Sequence, residues 1–494
     1  MNTPASAEKG LRIGLEIHAR LRTRSKAFCT CANDVTVASN TNVCPVCLGL
    51  PGTLPVVNRR MIEVALLAGM ALDADVHRSV AFSRKLYSYP DLPKGYQITQ
   101  FEHPLFTGGV LRFRVAHGAV RELRLWRLHV EEDAAKLTHR DGEAIVDYNR
   151  CGIPLLEIVT APDLKCADDA VAAARELRRI LLFLGVCDGK MEAGSFRCDV
   201  NVSYGVDTDT GRSEIKNLNS FAAIRDAINW EGHRLANAMR MDPRAARTIH
   251  WDEGSASGTI MRTKEREYEY RYAPEPDLPP ITITEEMLAH CRDGLCELPL
   301  DLETRFRQQY ALPPGQAAFL CAEPDAAEYF EETLAAFDAA SPERAALTAR
   351  WMQGELTTKR DAYGGGWQTF ALRPAAFADL LLLILHERLS DTAAKRVVHE
   401  MLTTGAPAEV AATRLGAMQI SDENFVDRCI LEGMRQHDTL VTAWRAGRTK
   451  VFTALMGEIM RLGEGRLNPR LTAQRLTLYL HAADDTESKD GMRS

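Results

Sequence analysis

Chemistry is most concentrated in four cysteines near the N-terminus. Cys29, Cys31, Cys44 and Cys47 form C-x-C-x12-C-x2-C within nineteen residues. Thiolates are good zinc ligands, and two close pairs joined by a loop let four sulfurs converge tetrahedrally. The surrounding TCANDVTVASNTNVCPVCLGLPG is rich in Asn, Pro and Gly, as the turns of a ribbon require. Four protein sulfurs leave no position open for water, so the zinc expected here holds a shape and does no chemistry. The competing reading is disulfides or idle thiols, and a reducing compartment suits disulfides poorly. The other eight of the twelve cysteines are scattered and read as small buried side chains.

A second set of residues is acidic and falls on segments that alternate like strands. In LEIHARL (15–21), a period of two puts Glu16 and His18 on one face and Ile17 and Leu21 on the other. In RLHVEED it groups His129, Glu131 and Asp133 and sends Glu132 to the opposite face. In RCDVNVSY it groups Arg197, Asp199, Asn201 and Ser203. Glu157 in LLEIV stands among aliphatic neighbours, where an ionised carboxylate is buried only if paired or metal-bound. One such strand is most simply a polar face turned to solvent. Together in one sheet they make a carboxylate-rich floor with a histidine, an oxygen-rich site suited to Mg²⁺ and nucleotide phosphates. Two loops supply cations and aromatics. SRKLYSYPDLPKGYQITQ (83–100) carries Lys85 and Lys94, and MRTKEREYEYRYAPEPD carries Arg262, Lys264 and Arg271. Either loop also reads as an ordinary surface crossover.

These residues need strands to hold them, and the chain is long enough to supply them. Its 494 residues allow about three domains, and 46% hydrophobic with 26% charged residues is an ordinary globular composition. Strand-like segments at 15–21, 123–133, 155–159, 197–204 and 213–218 dominate the first 280 residues, with one clear helix over 167–184. Beyond about residue 300 the pattern turns helical; GGG at 364–366 reads as a loop, and 483–494 reads as a frayed tail. The net charge of −7 advertises no global field for nucleic acid, but Phe425 to Leu480 holds nine Lys/Arg against five Asp/Glu. That local excess is either a solvated helical face or a phosphate-backbone surface. The N-terminus has no apolar stretch of the secretory kind, and the longest aliphatic run, Leu380 to Leu385, is far short of a membrane span, so the expected compartment is the cytoplasm. There is no G-x-x-x-x-G-K-[ST] loop, no H-E-x-x-H, no G-x-S-x-G elbow and no Gly/Ser-rich stretch suited to a serine amidase.

Eight motifs in order resemble the signatures of the GatB family, the amidating component of the aspartyl/glutamyl-tRNA amidotransferase. They are GLEIHARLRTRSKAFCTC, NTNVCPVCLGLPGTLPVVN, YPDLPKGYQITQ, RLHVEEDAAKL, NRCGIPLLEIV, GSFRCDVNVS, EIKNLNSF and YRYAPEPDLPP. The resemblance is dense over residues 10 to 282 and resumes in QISDENF (419–425) and ALMGEIMRLGEGRLNPRLTAQRL (454–476). It implies an α+β fold: a cradle domain like glutamine synthetase and the guanido kinases with an inserted zinc ribbon (1–300, zinc segment 29–47). An all-α helical domain (301–415), a YqeY-like, tRNA-binding tail (416–482) and a disordered end (483–494) would follow.

The implied activity is a ligase reaction. ATP and Mg²⁺ serve to phosphorylate the side-chain carboxylate of Glu-tRNA(Gln) or Asp-tRNA(Asn), and ammonia then displaces phosphate. An amidase A subunit supplies the ammonia from glutamine, and a small C subunit binds both. Carried onto this chain, the resemblance makes His18, Glu131 and Glu157 the Mg²⁺ ligands. Glu16 and Glu132 become nearby carboxylates for a second metal or ammonia. Lys85, with Arg262 and Lys264, would contact phosphates, Asp199 would take a proton or hold ammonium, and Lys216 would assist. The four cysteines correspond to the family's Zn²⁺ site. Ala135, Cys151 and Val200 depart from the family's glycine, alanine and alanine, and 340–410 diverges further. These departures leave two alternatives, a paralogue acting on another aminoacyl or peptidyl acceptor and a non-catalytic zinc-stabilised tRNA-binding protein. The second is disfavoured because the acidic set is whole.

Overall fold

A computed structural model describes residues 10–205, 212–238, 247–263, 271–339 and 341–490. The chain forms two compact units, Met1–Thr304 with Ala322–Pro324, and Arg305–Cys321 with Asp325–Ser494. The first is mixed α+β and the second is helical. Among the described residues no helix is long and apolar enough to cross a membrane.

A ten-stranded sheet organises the first unit. Its long strands are β1 (Leu11–Arg20), β2 (Val120–Glu132), β3 (Pro154–Thr160), β4 (Phe196–Tyr204), β5 (Ser213–Leu218), β6 (Arg247–Asp252) and β7 (Ser257–Thr263). Their order is β7-β6-β5-β4-β1-β3-β2, continued by the short strands Phe106–Thr107 and Asp75–Val76, while Val110–Arg114 pairs with β2 separately. Every pairing among these strands is antiparallel except β5 with β6. Antiparallel pairing suits one greasy and one polar face. In β1 the residues Ile13, Leu15, Ile17 and Ala19 are fully buried or nearly so, while Glu16 and His18 between them keep some exposure.

Three helices join the apolar face: α1 (Arg59–Ala71), α2 (Ala167–Phe183) and α3 (Phe221–Ala238). Val171, Ala174, Leu177 and Leu181 of α2 pack into the same core as Ile13 and Ile17. Each such large side chain removed from water stabilises by roughly 1.5–3 kcal/mol. Helix α2 starts with Asp168 and Asp169 in its first turn, where the helix dipole favours them. The sequence showed one clear helix, yet α1 is equally regular. Asn58 caps it through the amides of Arg60 and Met61, but Met61 to Gly69 are buried almost without interruption. Burial on nearly every side erases the stripe that periodicity detects.

In the second unit, helices Pro342–Trp351 and Asp391–Thr404 begin at serine caps, Ser341 and Ser390. Helices Glu423–Gln436, Val451–Leu462 and Pro469–Asp490 enclose a small core of Val426, Ile430, Leu455, Ile459, Leu476 and Leu480. The excess of bases there is partly neutralised on the spot: Arg435, Arg461, Arg466, Arg470 and Arg475 each pair with a carboxylate. The backbone is helical as far as Asp490, beyond the point where a frayed tail was expected to begin.

Candidate active site

The polar face of the sheet is where the acidic residues meet. In the antiparallel register, His18 lies opposite Glu157 on one side and Arg197 on the other, and Glu157 lies opposite His129. Directly opposed residues share a face, so Arg197, His18, Glu157 and His129 form one row across four strands. Glu16 sits two residues before His18, opposite Asp199, and Glu131 sits two residues after His129. The expected floor therefore assembles, with two imidazoles in it.

Distances within the row are short. His18 Nε2 is 3.3 Å from Glu157 Oε2, 3.7 Å from Glu131 Oε1 and 4.0 Å from Glu16 Oε1. His129 Nε2 is 3.4 Å from Glu157 and 3.6 Å from Glu131. Thr99 Oγ1 donates to Glu131 at 3.0 Å and fixes its angle. Two triads, Glu16/His18/Glu157 and His129/Glu131/Glu157, each bring their ligand atoms within 4.8 Å, and Glu16/Asp199/Glu214 makes a third. Donors that close can share an ion, and carboxylates with imidazole form a set that takes hard or borderline divalent cations.

The electrostatics show how strongly these groups depend on one another. Burial would keep His18 neutral, but the hydrogen bond to Glu157 and the charges of Glu157, Glu131 and Glu16 prevail and raise its pKa to about 9. His129 rises to about 9 by the same contest, with Glu157 the chief carboxylate. Burial pushes Glu157 up, and His129 and His18 outweigh it, holding Glu157 well below the ordinary carboxylate range. Glu16 moves up, first through burial and then through the charge of Glu157.

A cavity of about 270 Å³ opens over this face, with Lys85, Tyr87, Arg197 and Lys216 in its wall. Burial lowers Lys85, but Tyr272, Glu131 and Glu157 more than restore it, so the amine is held cationic. Lys216 is raised chiefly by Asp199, to which it donates at 3.1 Å, and it also pairs with Glu214 at 3.1 Å. Carboxylates at the floor with cations at the wall suit a metal-bound polyphosphate.

Comparison with known proteins agrees in scope with this layout. Residues 11–289 match the GatB/GatE catalytic domain and residues 328–480 match the GatB domain. A protein of Synechococcus sp. (strain JA-3-3Ab) is 39% identical over 488 residues, 97% of this chain and 99% of its own. One of Thermosynechococcus vestitus is 41% identical over 95% of this chain and 96% of its own, and one of Myxococcus xanthus 40% over 94% and 97%. All three are named as the B subunit of the aspartyl/glutamyl-tRNA(Asn/Gln) amidotransferase. The chain belongs to the GatB family.

Not every residue singled out in this GatB chain reaches the floor. Glu132 points to the opposite face, where it pairs with Lys94 and accepts from the Ile98 amide at 2.9 Å. Its adjacency to Glu131 in sequence is a separation in space, because neighbours along a strand point opposite ways. Arg262 has its backbone in β7 opposite Thr248; its side chain, and all of Lys264, lie outside the described residues. Arg197, by contrast, was placed on the Asp199 face by alternation but given no role. It lines the cavity and donates to buried Asp133 at 3.0 Å. The signal was present, two residues before Asp199 on the same strand face.

The four cysteines also converge. Their sulfurs lie within 4.8 Å of one another, with Cys47 buried and the others half-buried. The Cys44 amide donates to Cys47 Sγ at 3.2 Å. Four thiols gathered without a disulfide are the donor set of a tetrahedral thiophilic ion.

Proposed function

We propose that this chain is the amidating subunit of a tRNA-dependent amidotransferase, a ligase that completes Gln-tRNA(Gln) or Asn-tRNA(Asn) from mischarged Glu-tRNA(Gln) or Asp-tRNA(Asn). Membership of the GatB family along nearly the whole chain supports the activity. The row Arg197–His18–Glu157–His129 beneath a cation-walled cavity is the observation that carries the site assignment.

In this reading His18, losing its ring proton on metal binding, would hold Mg²⁺ together with Glu131 and Glu157, and the ion would supply charge neutralisation for phosphoryl transfer. Lys85 and Lys216 draw the γ-phosphate toward the acceptor. An oxygen of the substrate's side-chain carboxylate attacks the γ-phosphorus, ADP leaves, and a poor electrophile becomes an acyl phosphate. The nitrogen lone pair of ammonia then attacks the acyl carbon, the C–O bond to phosphate breaks, and Asp199 takes the surplus proton of the new amide. Glu16 stands beside it as a further acceptor. Glu132, paired with Lys94 behind the sheet, serves the structure there. Zn²⁺ in the cysteine quartet shapes the adjacent surface.

The further reading follows the resemblance. The first unit corresponds to a glutamine-synthetase-like cradle with a zinc ribbon, and the small core after residue 416 to a YqeY-like tail that grips tRNA. An amidase subunit and a small third subunit complete a cytoplasmic heterotrimer. The paralogue and non-catalytic alternatives lose ground to the whole acidic set and to relatives that share one name over their full length.

The test uses purified protein, Glu-tRNA(Gln), Mg²⁺ and radiolabelled ATP, with ammonium chloride replacing the amidase. Gln-tRNA appearing in step with phosphate is the expected result. No product even with the partner subunits added, while ATP still binds, would overturn the acceptor assignment.

A further inference from the structure

Lys26 is fully buried, with no measurable exposure, and is among the largest side chains so enclosed. Its Nζ donates to the Asn42 carbonyl at 2.9 Å and lies 3.9 Å from Cys47 Sγ. No described carboxylate pairs with it. Glu132, which flanks Gly152 as Lys26 does, is engaged by Lys94. Burial strips an ammonium of its hydration, so it needs opposite charge beside it, and the Cys47 sulfur is the group in reach.

The missing charge is close by. A divalent ion bound by four thiolates leaves two negative charges on the sulfurs. We infer that Lys26 is the built-in counter-ion of a dianionic tetrathiolate metal centre, a positioning residue whose charge sets how tightly the quartet holds its metal. The inference rests on reading the four cysteines as a metal site.

The local backbone is arranged to make this contact. The Lys26 amide donates to the Cys31 carbonyl at 2.9 Å, so the lysine belongs to the same turn as the first cysteine pair. Gly152, at φ +83°, lies against both: a Cβ there would sit at ordinary contact distance, 3.5 Å, from Lys26 Cδ and from Cys47 Cβ, so the lysine stem and Cys47 share one wall. The charge of the lysine and the two left on metal-bound sulfurs therefore stabilise one another. Outer-shell partners of this kind are typically worth about 10–100-fold in metal affinity.

The experiment compares the full chain with Lys26→Met and Lys26→Gln, the latter keeping a donor for the Asn42 carbonyl. Metal content is measured after dialysis, zinc affinity by chelator competition, and Tm with and without zinc. The expected result is a Kd raised about 10–100-fold in both variants. Lys26→Met should also lower Tm more with zinc bound than without it. A lysine needed only for its hydrogen bond lowers Tm equally in both states and leaves Lys26→Gln unaffected, and that pattern overturns the inference. Unchanged zinc affinity in the variants overturns it as well. A wild-type chain that takes up no thiophilic metal defeats instead the reading of the quartet on which it rests. If Lys26→Met fails to fold, Lys26→Gln carries the affinity comparison alone.

Discussion

The floor of the sheet and the cysteine loop are two candidate metal centres built on opposite plans. In the floor, the donors come from separate strands far apart in the chain and the ladder sets their direction: His18, Glu157 and His129 meet because three strands pair in one register. In the loop, all four donors come from nineteen consecutive residues, and turns do the aiming. The floor is oxygen- and imidazole-rich and faces a cavity, which suits an exchangeable ion that must also hold substrate. The loop offers sulfur on every side, which suits an ion that stays. The difference teaches that long-range register can build a reactive centre and local turn chemistry a durable one within the same unit.

The largest effect should come from breaking the floor alone. Glu157→Gln removes the carboxylate shared by two triads, and ATP-dependent amidation should fall at least about 100-fold while zinc content stays at the wild-type level. Loss of zinc together with activity would show that the two centres are not separable. A smaller effect, on stability, should follow at the boundary between the two regions. Lys94 pairs with Glu132 behind the floor, and its stem packs over Gly49 in the cysteine loop. Lys94→Met strands a buried carboxylate and should cost about 3–5 kcal/mol in denaturant unfolding. Lys94→Met/Glu132→Gln should recover much of it. A double variant no better than the single one would mean that packing, not charge, is what Lys94 supplies.

The smallest effect provides a control, a buried carboxylate that belongs to neither centre. Glu176 on α2 is raised to about 7, by burial first, against the pull of Arg179 and with the push of Glu303. The folded protein thus keeps a proton that the unfolded chain, at 4.5, has lost. Its contribution to stability is whole below pH 4.5 and is lost as pH rises through 7, on the order of 3 kcal/mol at most. Glu176→Gln should flatten that decline in a series of Tm measurements across this range. An unchanged slope would assign the decline to other groups.

Much of the floor was legible because β-strands have a period of two. Alternation in LEIHARL, RLHVEED and RCDVNVSY sorted Glu16, His18, His129, Glu131 and Asp199 onto one set of faces, and the strand limits at 155–159 and 213–218 fall within or on those observed. What alternation does not carry is which strands are neighbours. Arg197 joins the row only because β4 lies beside β1, and His129 joins the metal-type donors only because β2 lies beside β3. Helix α1 was obscured for the opposite reason, burial on so many sides that no stripe remained.

The sequence by itself determined the family, the spacing of the four cysteines and the face on which each acidic residue lies, because motifs, loop spacing and strand period are local properties of the chain. Tertiary structure alone decided that β1, β2, β3 and β4 stand side by side, that Glu132 is tied to Lys94 away from Glu131, and that Lys26 is sealed beside Cys47. Each of these depends on register or burial between residues far apart in the chain, and the free energy of such contacts exists only once the intervening chain has folded.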